Sequence, residues 1–376
     1  MLWRIARLAV VAAFLAACAR YYHPDSGFTT LIRFSTATHD TQLSAVRDLP
    51  KDEQPGGYDG AFYAQMAIDP LLRNPEIDRA LDEPPYRARR ILLSWTAHAI
   101  GLGRPAWILQ VYAVQNMACW LLFAWLLWHV IPQTGAKSFA LWTSCLLAHG
   151  LLVSVWLAVT DGPSALLIAL AALGVERGWR WLPAIVLAAA GLARETNLFA
   201  ATMFSKWIDR DARSWLRVSA SVLIAAVPLA LWMDYLRSIY RQRALAGGDH
   251  FTPGLDGVIW KLHLVWAEVQ AAPFALRTMI DVTAIVGFFV QGGFVVRALA
   301  THERRSPWAT VALTYFVLAL MVKPAVWEGW PGAFTRVALP TTIAANVLMS
   351  RQNTPWWLIA LANLGVLPGV RLFFMS

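Results

Sequence analysis

Four short stretches of this chain gather side chains able to take a proton or hold an anion. Gly56 to Pro70, GGYDGAFYAQMAIDP, sets Asp59 and Asp69 among glycines, tyrosines and apolar residues. Asp82 to Arg90, DEPPYRARR, places Arg87, Arg89 and Arg90 just ahead of a short apolar run. Ala193-Arg194-Glu195-Thr196 and Phe334-Thr335-Arg336 put further charges at the edges of apolar blocks. A carboxylate facing a sheltered cavity can accept a proton from a nucleophilic hydroxyl. Guanidinium groups bind phosphate oxygens in pairs and stay charged at an interface.

Each stretch also has a purely structural reading. Tyr58, Phe62 and Met66 recur at i, i+4 and i+8, the spacing of an apolar helical stripe, and Tyr63 shares the neighbouring stripe with Asp59. Asp59 then falls in the first turn of that helix, where a carboxylate caps free N–H groups as readily as it serves chemistry. Asp69, before Pro70, reads as a turn residue at the helix exit. The three arginines suit a phosphate-bearing ligand and lipid headgroups equally. Arg194 and Glu195 fit a local ion pair closing a tight turn. Asp161, Lys323 and Glu328 are further charges at block ends, where charge is costly and marks a candidate site. Gln110, Gln115 and Asn116 are expected to make interhelical hydrogen bonds.

Other chemistries find no foothold. The chain has no hydrolase elbow, HExxH pattern, P-loop or dinucleotide fingerprint. Its eight histidines are scattered, and Cys18, Cys119 and Cys145 all lie in apolar surroundings without CxxC spacing. No metal and no cofactor are expected. The net charge of +9 lies between apolar blocks with no aromatic-basic module. Membrane lipid, not nucleic acid, is the partner this arrangement suggests.

The elements that position these residues are membrane helices. Of 376 residues, 58% are hydrophobic and 15% charged, with the apolar ones gathered into long blocks. Many of the twenty tryptophans fall near block ends, where amphipathic rings favour the headgroup layer. The expected fold is all-α and polytopic, with about eleven transmembrane helices within a range of about 9 to 12. The blocks lie near 3–19, 106–131, 138–158, 163–175, 182–193, 197–208, 216–236, 278–298, 308–323, 336–350 and 355–372. Several are too short for a bilayer of about 30 Å, which suggests broken helices or a re-entrant hairpin.

Lys and Arg in the short connections set the orientation: Arg4, Arg7, Lys137, Arg177, Arg180, Lys206, Arg210, Arg213, Arg217, Arg297, Arg304, Arg305 and Arg351 are assigned to the cytoplasmic side. The outer side then receives a first loop over 20–104, the turns at Thr160 to Pro163 and Ala193 to Asn197, a stretch over 237–277 and the connection 323–336. The first loop, about 85 residues long, is too long for a simple connection. The whole chain, 1–376, reads as one membrane domain. Leu15-Ala16-Ala17-Cys18 has the form of a lipoprotein cleavage box, but with many spans following it the first helix is expected to remain as an anchor.

In this order, the first span with its large outer loop, Tyr58-Asp59-Gly60-Ala61-Phe62-Tyr63, Pro85-Tyr86-Arg87-Ala88-Arg89-Arg90, the Ala193-to-Thr196 turn and Phe334-Thr335-Arg336 resemble the GT-C class of integral-membrane glycosyltransferases. The resemblance covers most of the chain. It implies a multi-pass protein of the bacterial inner (plasma) membrane with a large periplasmic first loop. It also implies transfer of a sugar from a polyprenyl-phosphate donor to a cell-surface glycan or lipid acceptor. Asp59 matches the base, Arg89, Arg90 or Arg336 the phosphate contacts, and Tyr63, Arg87, Arg194 and Glu195 complete the substrate-binding set. The chain departs from members that carry two acidic residues close together in the first loop. A transporter or flippase of lipid-linked sugars, or a non-catalytic subunit of a polysaccharide-assembly complex, are the competing readings.

Overall fold

The computed structural model describes residues 1–209, 211–240, 251–252, 254–301 and 305–375. Arg210 and Arg304, two of the charges used for orientation, and part of the 237–277 stretch lie outside these.

All eleven apolar blocks are helical, as expected of chain whose backbone groups find no partner in lipid. Among the described residues, four helices are long and apolar enough to cross a membrane: Leu2–Ala19, Pro105–Val130, Ala212–Tyr240 and Leu276–Thr301. The count rises to six if each of two bent pairs is one span. These are Ala136–Leu146 with His149–Trp156, bent by 41°, and Trp356–Ala362 with Val366–Phe374, bent by 56°. The remaining blocks form Asp161–Glu176, Leu182–Ala193, Glu195–Trp207, Pro307–Leu320 and Leu339–Arg351. Glu195–Trp207 is a 13-residue 3₁₀ helix. At about 2.0 Å per residue it extends roughly 26 Å, well beyond what an α-helix of that length reaches.

The apolar faces of these helices meet in one large core around Trp120, Trp142, Trp308 and Phe204. Several polar side chains inside it are paired, as burial favours. Asn346 and Asn363 exchange amide hydrogen bonds at 2.9 Å, and Gln291 donates to the Ala362 carbonyl. Gln115 accepts from Thr96 and Asn116 from Ser154, both between helices, whereas Gln110 binds the backbone of Ser26 and Phe28 instead. The three cysteines are free, with Cys18 buried inside the first helix.

The first loop packs into a second core that it shares with helices Pro105–Val130, Leu182–Ala193 and Ala212–Tyr240. Its Asp59–Ile68 helix is buried nearly all round, at Gly60, Ala61 and Tyr63 to Ala67, and not along a single stripe. Helix Leu92–Ile100 pins it: Ser94 donates to the Tyr63 carbonyl at 2.7 Å, Trp95 Nε1 to Pro70 O at 3.0 Å, and His98 Nδ1 lies 2.9 Å from Ala67 O. A two-residue parallel ladder pairs Phe34–Ser35 with Glu53–Gln54. The 237–277 stretch contains a helix, Asp256–Ala271, whose Lys261 is fully buried against Asp281 at 2.7 Å and also donates to Gly329 O at 2.8 Å.

Candidate functional site

Two close backbone approaches bring the charged stretches together. Gly60 lies against the carbonyls of Leu157 and Ile32, leaving no room for a Cβ, so the start of the Asp59–Ile68 helix rests directly on the turn before Asp161. A Cβ at Gly150 would stand 2.5 Å from Thr335 O, and the missing side chain lets the Phe334–Val337 turn approach. The Asp161–Glu176 helix is set by Ser154, whose hydroxyl donates to Val159 O at 2.7 Å and accepts from Gly162 N at 2.7 Å.

The result is a cavity of about 160 Å³ lined by Asp59, Arg90, Asp161, Arg194, Glu195 and Arg336, together with Tyr86, Phe251, Val322, Ala325 and Val326. Every connection assigned to the outer side contributes to it: the first loop, both tight turns, the 237–277 stretch and 323–336. The basic connections meet elsewhere, where Glu176 accepts from Arg351 at 2.8 Å and its carbonyl from Lys206.

Asp59 lines the cavity from the first turn of its helix. No side-chain cap hydrogen bond is made at this helix start. Asp59 Oδ2 instead lies 3.0 Å from Arg87 Nη1, and the side chain keeps 27% of its surface exposed. Arg87 holds Asp82 through its Nε and Nη2 fork at 2.9 and 2.7 Å. Arg87 is buried at 9% and is not among the cavity-lining residues, so it orients Asp59 from behind. Burial opposes its charge, but Asp82 and Asp59 outweigh that and its pKa is raised. Asp69 does what its position before Pro70 suggests: its Oδ2 accepts from Asn74 N at 2.7 Å.

Arg194 and Glu195 do not close a turn by pairing locally; neighbours in sequence, they take different partners. Glu195 receives Arg90 Nε at 3.2 Å and Nη2 at 3.4 Å, with Arg89 Nη1 at 3.9 Å. Burial raises the Glu195 pKa, but Arg90 more than offsets it and holds the carboxyl at about 2. Arg90 also donates to the Tyr63 and Tyr86 hydroxyls at 3.2 and 2.8 Å. Tyr63 is buried at 1%, and its part is to fix Arg90. The Tyr86 ring faces Arg87, Arg89 and Arg90 at 5.4, 5.1 and 4.8 Å, each within cation–π range. Arg89 is buried, with Nε and Nη2 unpartnered among the described residues.

Arg194 pairs with Asp161 Oδ1, and Arg336 Nη1 lies 3.5 Å from Asp161 Oδ2. Arg336 Nη2 donates to the Tyr58 hydroxyl at 3.0 Å, an oxygen that keeps its own proton because burial raises its pKa. Two arginines therefore share one carboxylate, leaving a surplus positive charge on this side of the cavity. Arg90 is neutralised by Glu195. Asp161, Tyr58 and Tyr86 were not in the substrate-binding set read from the sequence, though each adjoins a flagged residue or stands at a block end. Lys323 and Glu328 do not line the cavity. Among the described residues no three His, Cys, Asp or Glu side chains gather to hold a metal ion.

An apolar groove of about 530 Å³ adjoins the cavity, sharing Phe251 and Leu318 with it and continuing over Phe199, Leu313, Val317 and Met321. Comparison with known families, curated proteins and solved structures finds no match for this chain.

Proposed function

We propose that the chain is a GT-C-type glycosyltransferase of the bacterial inner membrane, moving a sugar from a polyprenyl-phosphate donor to a glycan or lipid acceptor at the outer face. The observation that carries this reading is the continuity of a charged cavity holding Asp59, Arg194 and Arg336 with a long apolar groove. Such a site suits a ligand with an anionic head on an isoprenoid tail. In this reading the shorter apolar helices also lie at membrane depth, giving about eleven spans.

The chemistry follows from the charges. The acceptor hydroxyl loses its proton to Asp59 as its oxygen bonds to the anomeric carbon. The bond from that carbon to the phosphate oxygen breaks, and its electron pair leaves with the lipid phosphate. Charge grows on that phosphate as the bond breaks, so Arg194 and Arg336, with one carboxylate between them, lower the barrier by stabilising it. Arg90, Tyr63 and Arg87 hold the geometry around Asp59.

Asp59→Asn tests the base. Membranes containing correctly inserted variant should transfer labelled sugar from polyprenyl phosphate at least about a hundredfold more slowly, the usual contribution of a positioned base. Undiminished transfer removes Asp59 from the mechanism. Vesicles that move the labelled lipid across the bilayer without a transfer product support a flippase instead.

A further inference from the structure

A second polar cavity, of about 400 Å³, opens away from the charged site, between the last turns of Leu276–Thr301 and the turn joining Leu339–Arg351 to Trp356–Ala362. It lies at the end of the bundle where Arg351 meets Glu176. Its charge is one-sided. Among the described residues, Arg297 is the only ionisable side chain in the lining and no carboxylate pairs with it. The Gln352 Nε2 amide is buried with no hydrogen-bond partner among the described residues, a donor left for something outside the chain. Asn353 adds an exposed amide beside it. Below these polar groups lie Phe294 and Leu358. Next to them on the same two helices, Val296 and Trp357 are 52% and 64% exposed, an apolar track bordered by a ring suited to the headgroup layer.

We infer that this cavity binds the phosphodiester headgroup of an anionic phospholipid. Arg297 supplies the counter-charge, Gln352 Nε2 and the Asn353 amide donate to phosphate oxygens, and an acyl chain lies over Phe294 and Leu358. The lining also selects among lipids. A zwitterionic headgroup would bring an ammonium group into a cavity that has a cation and, among the described residues, no carboxylate to receive it, whereas a phosphatidylglycerol headgroup brings only the negative charge. This assignment is independent of the chemistry proposed for Asp59.

The test uses the full chain purified in neutral detergent and offered phosphatidylglycerol, phosphatidylcholine of the same acyl composition, or inorganic phosphate, with bound molecules counted by native mass spectrometry. Phosphatidylglycerol should be retained about tenfold more strongly than phosphatidylcholine, the worth of one charge-assisted contact. Arg297→Gln should abolish that preference, and Gln352→Leu should reduce it. Arg213→Gln, an exposed arginine outside the cavity, should leave it intact. Arg297 is exposed and outside every ion pair found among the described residues, so the variant's thermal midpoint should match the parent's and a lost preference then reports binding. Equal retention of the two lipids, a preference that survives Arg297→Gln, or displacement of the lipid by equimolar inorganic phosphate would each overturn the inference.

Discussion

Glu195→Gln probes the electrostatics of the cavity without any knowledge of the substrate. The substitution keeps the side-chain shape and one acceptor oxygen but removes the only carboxylate among the described residues within 4 Å of Arg90, whose side chain is 12% exposed, and of Arg89, at 8%. A charge pair at 3.2 Å in a medium of effective dielectric about 20 is worth at most about 5 kcal/mol. Breaking a buried pair from one side costs about 3–5 kcal/mol. The remaining amide oxygen and the Tyr63 and Tyr86 hydroxyls still accept from Arg90, which brings the expected loss to about 3 kcal/mol. For a chain of this size that lowers the thermal midpoint by roughly 5 °C. Intrinsic tryptophan fluorescence in detergent follows the unfolding, and denaturant titration gives the free energies for a cycle with Arg90→Gln. The double variant should be more stable than the sum of the single losses implies, by about 2 kcal/mol. A midpoint for Glu195→Gln within about 1 °C of the parent, or strictly additive losses, would refute the claim that this pair is buried and coupled.

The same carboxylate gives a pH signature. Its folded pKa of about 2 lies below the ordinary value of 4.5, so the stabilisation is fully present above about pH 4.5 and disappears as pH falls toward 2. The stability gap between parent and Glu195→Gln should narrow across that window, and a gap that stays constant from pH 5 to about 2.5 excludes the linkage. Gly60→Ala should also destabilise. The helix-propensity gain of about 1 kcal/mol is outweighed by the contacts a Cβ would make with the Leu157 and Ile32 carbonyls, since overpacking costs about 1–3 kcal/mol. Shifting the helix start should also lower sugar transfer, and a midpoint at or above the parent's would show that the approach is not tight.

Much of the cavity was legible because charge is conspicuous in an apolar chain. Asp59, Arg90, Arg194, Glu195 and Arg336 stand out from their surroundings, and the distribution of Lys and Arg assigns their connections to one end. Which charge meets which was hidden. Nothing local links Glu195 to Arg90, or marks Asp161 as the carboxylate shared by two arginines, because those pairs form across the bundle. Arg87 carries the same charge as its neighbours yet does not line the cavity: it closes the short helix Pro84–Arg87, while Arg89 and Arg90 lie beyond the helix end. The helix Asp256–Ala271 escaped notice for another reason. Val258, Leu262, Val265 and Val269 do recur at i, i+4, i+7 and i+11, but Lys261, His263, Glu268 and Gln270 interrupt them, so the segment forms no continuous apolar block. Apolar block length, likewise, does not distinguish an α-helix from the extended 3₁₀ run of Glu195–Trp207.

The spacing of the ion pairs along the chain also orders the assembly of the site during synthesis. Arg87 finds Asp82 five residues away and Asp59 within the same loop, so this part can form as soon as the first loop emerges. Arg90 must wait for Glu195, 105 residues later. Tyr58 and Asp161 meet Arg336 only after a further long stretch, at separations of 278 and 175 residues. A ribosome that stalls before Arg336 leaves a membrane-inserted chain whose first loop is already stapled but whose cavity lacks its far wall. Truncated products of this kind would carry Asp161 with Arg194 as its sole paired arginine, and the quality-control machinery of the membrane would meet a pocket with two arginines against three carboxylates instead of three against three.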